Sequence, residues 1–94
     1  MKVIGLATLH AYAASQPDCR TWIVNWIADV RNSSWRTTHD IRQRYATASF
    51  LHDNIVVFNV RGNNHRLVTQ VALQTSVISI KWIGSHADYD RKKF

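Results

Sequence analysis

Three apolar runs separated by two short polar breaks constrain this chain more than any other feature. Val56–Val60, Leu67–Leu73 and Val77–Ile83 are rich in Val and Ile, residues that suit a pleated, half-buried surface. Arg61-Gly62-Asn63-Asn64-His65 interrupts the first pair and Gln74-Thr75-Ser76 the second. Both breaks suit hairpin loops. The pattern predicts an antiparallel three-stranded meander.

A meander brings the end of its first strand, the start of its second and the end of its third to one edge. Arg61, Asn63, His65, Arg66, His86 and Tyr89 are expected to gather there. The two turns would set Val60 opposite Arg66, and Arg66 opposite Ser85. Period-two sorting in those registers gives a core face of Val57, Leu67, Val71, Leu73, Ile78, Ile80 and Trp82. The other face carries Arg66, Gln70, Ser79 and Lys81 among Val68 and Ile83. A slip of one residue moves each of these side chains to the opposite face.

Charge indicates what such an edge attracts. The formal net charge is +6. Half of the twelve Lys and Arg residues follow Val60, with only two of the six acidic residues. A basic field of this kind draws polyanions: nucleic acid, a ribosomal surface or acidic lipid. Cys19 is the one cysteine, so no intrachain disulfide and no cysteine zinc site are expected, in keeping with a reducing, cytoplasmic setting. No apolar run approaches the roughly 20 residues that cross a bilayer. The segment after Lys2 mimics a short signal peptide, but it contains Thr8 and His10, and its loss would delete a whole first element. The 94 residues suffice for one domain with one core.

Upstream of the meander, Lys2–Leu6 reads as a first strand. Thr8 can cap a helix through Ser15. Pro17 suits the first turn of a second helix reaching Arg31, whose Trp22, Ile23, Trp26, Ile27 and Val30 form one stripe. That stripe is expected to pack on the Leu67, Val71, Ile80 and Trp82 side of the sheet. Thr37-Thr38-His39-Asp40 signals a short helix through Tyr45. Ala46–Leu51 reads as extended, and His52-Asp53-Asn54 as a turn. Gly84 ends the last strand and Ser85 can cap a final helical turn. Arg91-Lys92-Lys93 reads as a solvated tail. The fold class is therefore α+β: a small antiparallel sheet, made of the N-terminal strand and the meander, packed against two N-terminal helices.

The edge residues permit phosphate chemistry without a metal. That chemistry needs cations on the phosphoryl oxygens, a base for the nucleophile and an acid for the leaving oxygen. Arg61 and Arg66 offer bidentate forks, and Lys81 adds a point charge. His65 and His86 belong to the residue type that exchanges protons in the physiological range. Tyr89 shares a face with His86 if a helical turn forms there. In RNA the adjacent 2′-OH can be the nucleophile. No metal and no cofactor is expected: His86, Asp88 and Asp90 alternate, but no HExxH or acidic cluster completes a ligand set.

Two blocks of the chain are familiar. One is Val57-Phe58-Asn59-Val60-Arg61-Gly62-Asn63-Asn64-His65-Arg66-Leu67-Val68, a VFN-[IV]-x-GN-xx-RL pattern. The other is Trp82-Ile83-Gly84-Ser85-His86-Ala87-Asp88-Tyr89-Asp90-Arg91, close to GTH-x-EYD. Together they resemble the HigB family of bacterial toxins, mRNA interferases of the RelE-like group. The helix with Trp26 and the Trp35-Arg36-Thr37 segment extend the likeness over nearly the whole chain. The resemblance implies ribosome-dependent cleavage of mRNA in the bacterial cytoplasm. It implies neutralisation by a HigA-type helix-turn-helix antitoxin, and contact with operator DNA through that antitoxin.

By position, the family's functional residues fall on Arg61, Asn63, Arg66, His86 and Tyr89. His86 is expected as general acid or base, Tyr89 as its partner or a stacking group, and Arg66 with Arg61 as clamps. Asn63, His65, Lys81 and Gln70 are expected to contact RNA. The sequence departs from the family at Arg61, where lysine is more usual, and at His65, where an aromatic residue is. It departs again at Ser85 and Asp88, for Thr and Glu. Two other readings remain open: a non-catalytic RNA- or ribosome-binding module on the same scaffold, and a protein that docks a partner on its Trp22/Trp26 face.

Overall fold

Breaks in the apolar pattern become element boundaries. The computed structural model describes residues 1–92. In order they form β1 (Lys2–Ile4), α1 (Leu6–Ser15), a 3₁₀ turn (Pro17–Cys19), α2 (Arg20–Arg31), α3 (Thr38–Arg44), β2 (Ser49–Phe50), β3 (Ile55–Val60), β4 (His65–Ala72), β5 (Val77–Ser85) and α4 (His86–Asp90). Gly5, not Thr8, precedes the first helix, with φ +98° and no side-chain cap. A Cβ at Gly5 would lie 3.0 Å from Cβ of Ile80, so the β1–α1 corner rests directly on β5. Thr37 and Asp40 form the expected capping box at α3, which satisfies two N–H groups that the first helical turn leaves unpaired.

The sheet order is β1-β5-β4-β3-β2. The meander β3-β4-β5 is antiparallel, as its pattern predicts. Two edges differ from expectation. β1 joins β5 in parallel, so the sheet is mixed and not wholly antiparallel. Hairpins force antiparallel neighbours, whereas β1 reaches β5 across the intervening helices, and a long crossover permits parallel pairing. At the other edge, the extended segment before His52 is trimmed to a two-residue strand, β2, paired with Val56 and Val57. Asp53 and Asn54 make that turn with φ +57° and +62°.

Both predicted registers are off by one. Val60 pairs with His65 and Asn59 with Arg66; Arg66 pairs with Gly84. The β3–β4 loop is therefore Arg61–Asn64, and His65 begins the strand. Accordingly Val56, Phe58 and Val60 join the core, with Leu67, Val71, Ile78 and Ile83 from β4 and β5. Val57 belongs to the opposite face, abreast of Val68 and Trp82.

The second correction has its own cause. Val68 pairs with Trp82, but Thr69 pairs with Ile80. Lys81 is thus an extra residue, a β-bulge. Before it Ile78 and Ile80 point to the core side; after it Ile83 does, while Trp82 and Gly84 point away. The expected places of Trp82 and Ile83 are exchanged.

The helices cover the inner face as the stripe predicts. Ile23, Trp26, Ile27 and Val30 of α2 are buried. Trp26 meets Phe58 edge-on at 5.5 Å, and Trp22 stacks on Trp26. A core of this kind is held mainly by apolar burial, at about 25 cal/mol per Å² removed from water.

Candidate nucleic-acid interface

The bulge and the register together decide what lies on the outer face at the end of the meander. Arg66 stands opposite Gly84. Its Nη2 donates to Oδ1 of Asn63 at 2.7 Å. Its Nη1 donates to the carbonyls of Asn63 and His65 at 3.3 and 3.2 Å. The turn thus brackets the guanidinium. Of its five N–H groups, Nε–H and one Nη2–H are left without a protein acceptor among the described residues. The guanidinium carbon lies 6.0 Å from the Tyr89 ring centroid.

Tyr89 and His86 come from α4. The Ser85 hydroxyl accepts from the Asp88 N–H at 3.1 Å, the N-cap bond that starts a helical turn. Residues three apart then share a side. The His86 backbone N–H donates to the Asn64 carbonyl at 2.9 Å, which ties α4 to the turn holding Arg66. The His86 imidazole is partly exposed. Its Nε2 lies 3.6 Å from Asp90 Oδ2, and its buried Nδ1 has no hydrogen-bond partner among the described residues. A ring beside a carboxylate, able to exchange protons, is suited to acid–base work.

Two residues that the sequence reading placed elsewhere belong here. Trp82 was expected in the core. Its ring lies 6.4 Å from Tyr89 and over Gly84, where an added Cβ would fall 2.4 Å from two indole atoms. Lys92, read as part of a solvated tail, sets its Nζ 5.5 Å from the Trp82 centroid. A glycine two positions after a tryptophan in a strand is a signal for this arrangement, because residues i and i+2 share a face.

The rest of the expected set separates. His65 is 6% exposed and lies on the inner side. Its Nδ1 is 2.7 Å from the Tyr12 hydroxyl and its Nε2 is 3.0 Å from Asp18 Oδ2. The tautomer protonated on Nε2 satisfies both contacts: Nε2–H donates to the carboxylate and Tyr12 O–H donates to Nδ1. His65 is thereby withdrawn from the RNA-facing set. Arg61 takes φ +49° and turns to the same side, with Nη1 3.3 Å from Asp18 Oδ2, though its side chain stays largely exposed. The His65 bond, followed by the Arg61 bond and the Arg61 charge, holds the Asp18 carboxyl below its usual range. Burial, then the nearby Cys19, Asp18 and Asp88, pushes the Tyr12 phenol up.

Gln70 donates to the Asp53 carbonyl at 3.0 Å and lies four residues along β4 from Arg66, about 13 Å at the usual strand rise. Lys81 is exposed at the bulge, on the neighbouring strand. Neither joins the Arg66 cluster.

Ligand atoms of Asp18, Cys19 and His65 lie within 4.8 Å of one another. Each is already engaged. Cys19 Sγ donates to the Gln16 carbonyl at 3.1 Å, and burial raises its thiol pKa. Arg61 holds a positive charge against the same carboxylate. The group fits a hydrogen-bonded cluster better than a cation site. Among the described residues no helix is long and apolar enough to cross a membrane.

Comparison with known proteins gives the chain a family. None of the curated proteins matches the chain. The model of the HigB toxin family matches residues 19–92, from the last residue of the 3₁₀ turn through the meander, α4 and Lys92. The family is described as the RelE-like toxic component of a toxin–antitoxin system, and an antitoxin is the partner that this implies. With most of its length under that match, including the turn that holds Arg66 and the helix that carries His86 and Tyr89, the chain belongs to the HigB toxin family.

Proposed function

We propose that this toxin is a ribosome-dependent mRNA endoribonuclease of the bacterial cytoplasm. The observation that carries the reading is the Arg66 guanidinium. It is already fixed by Asn63, still has N–H groups to give, and lies beside Tyr89 at the turn to which the His86 backbone is tied. A fixed fork stabilises charge developing on phosphoryl oxygens without having to reorganise.

The chain's own residues suffice for cleavage by the adjacent 2′-OH. A base removes the 2′-OH proton, the 2′-oxygen attacks phosphorus, and the bond to the 5′-oxygen breaks as an acid protonates it. The products are a 2′,3′-cyclic phosphate and a 5′-hydroxyl. His86 takes one of the two proton-transfer roles. Tyr89 takes the other or stacks on a base. Arg66 clamps the phosphoryl oxygens, and Arg61 supports it when RNA draws it from Asp18. A HigA-type helix-turn-helix antitoxin is the expected inhibitor, with operator DNA reached through it.

The test adds purified protein to ribosomes translating a defined mRNA and maps the new 5′ ends. Cuts by the wild type, lost with His86→Ala and with Arg66→Ala, are the expected result. Unchanged rates in both variants would sink the assignment. Ribosome binding with no cuts at all would favour the non-catalytic module.

A further inference from the structure

We infer that the indole of Trp82 is a stacking shelf for one unpaired RNA base, set beside the phosphate that Arg66 holds. This rests on the endoribonuclease reading and adds a base subsite to it.

The shelf is built by three features of β5. The bulge at Lys81 turns Trp82 to the outer face and gives its core place to Ile83. Gly84, two residues on, leaves the space in which the ring lies, since a Cβ there would come within 2.4 Å of Cη2 and Cζ2. The indole therefore occupies the space that a side chain at Gly84 would fill. Gly84 also pairs with Arg66, so the shelf and the phosphate clamp are neighbours across two strands.

The surroundings are those that single-stranded RNA needs: π faces for bases, with cations between them for the backbone. Lys92 lies 5.5 Å from the Trp82 centroid, and Arg66 lies 6.0 Å from that of Tyr89. The two rings are tilted by 39°, so a planar base cannot lie flat on both. Stacking on Trp82 exchanges Lys92 from the half-buried ring to the adjacent phosphate, where its charge gains more than over a ring face. Trp82 also lies abreast of the buried Val57 and Val68, and a plain apolar cover would explain its bulk. It would not explain an aromatic ring among cations, and substitution separates the two roles.

The probe is a short single-stranded RNA made uncleavable by 2′-O-methyl groups, with 2-aminopurine at successive positions. Affinity is read by anisotropy and stacking by quenching of the aminopurine. Trp82→Phe keeps a π face. Trp82→Leu and Trp82→Met keep apolar cover without one, and melting curves identify whichever is folded. Wild type and Trp82→Phe are expected to bind and quench at one position, while the folded aliphatic variant loses quenching there and roughly tenfold in affinity. Equal binding and quenching by that variant would overturn the shelf, as would no binding by the wild type. Neither readout requires cleavage. A wild type that stacks the probe yet never cuts on ribosomes would remove the endoribonuclease reading and leave the shelf standing; a cutting wild type with a fully binding aliphatic variant would do the reverse.

Discussion

His65 Nε2 lies 3.0 Å from Asp18 Oδ2, although 47 positions separate the two residues. The imidazole is buried, and with Tyr12 at its other nitrogen it joins α1, the 3₁₀ turn and the start of β4. Its role is to hold these together. His65→Phe fills the space but strands the Tyr12 hydroxyl and one of the bonds to Asp18. Urea unfolding is expected to show a loss of about 2 kcal/mol. Any fall in toxicity should follow the fraction of folded protein and not a change in RNA affinity.

Asp18 and Asp40 give the fold a defined acid limb. Asp40 is held below its ordinary 3.8 chiefly by the N–H groups of Arg36 and Thr37, and Asp18 chiefly by His65. Both titrate lower folded than unfolded, so below about pH 4 the unfolded chain binds more protons. Their contribution is complete above the unfolded value and is lost as pH falls through the depressed folded values. Denaturation midpoints should therefore drop on acidification in that range, and Asp40→Asn should flatten the drop. Thr37→Ala, which removes the other half of the capping box, should cost about 1 kcal/mol at neutral pH.

Asn63 separates holding Arg66 from binding RNA. Asn63→Ala removes the 2.7 Å acceptor and frees the guanidinium to wander. Cleavage on ribosomes should fall roughly tenfold, mostly in the rate at saturating mRNA, because fixed donors are worth a few kcal/mol to a transition state. Asn63→Asp keeps an acceptor but sets a negative charge beside the phosphate. It should weaken association more than turnover, and more so at low salt. Equal kinetics for both variants would dissociate Asn63 from the clamp.

Tyr45 anchors the far end of the helical layer. Its hydroxyl donates to Asp29 Oδ2 at 2.6 Å, and Arg44 pairs with the same oxygen. Burial first, then the bond to Asp29, drives its pKa well above the ordinary tyrosine value. Tyr45→Phe keeps the ring contacts with Trp35 and Phe58 and should lose about 1.5 kcal/mol in a thermal melt.

The features legible in the sequence are those written in local period. The meander shows as three apolar runs, the α2 stripe as Trp22 to Val30, and the α3 cap as Thr37 and Asp40. The features that escaped depend on contacts distant in sequence or on a single uncounted residue. In Asn63-Asn64-His65 every residue suits a loop, so nothing local says that His65 already belongs to β4; its partners Tyr12 and Asp18 lie in the first helical region. Ile80, Trp82 and Ile83 place apolar groups in both phases of β5, so period two fits with or without a bulge. The sense of β1 is invisible for a related reason: three residues, Lys2–Ile4, pair equally well either way until the helices fix their course. At the candidate site, Arg66, Asn63, His86 and Tyr89 are legible as residue types suited to phosphate chemistry, and the structure brings them together. Trp82 and Lys92 were passed over because one looked like filling and the other like a tail.

The extra residue in β5 makes the strand two half-strands in opposite phase. The first half keeps Ile78 and Ile80 indoors; the second does the same for Ile83 while sending Trp82 and Gly84 out. The bulge, more than the identity of residue 81, then determines which chemistry reaches solvent. Replacing Lys81 leaves the count intact and should be tolerated. Deleting it would close the bulge into plain alternation, with Ile80 and Ile83 still inside, Trp82 still outside and Gly84 still opposite Arg66. Straightening the strand with Lys81 kept would instead bring the indole inside and send Ile83 out.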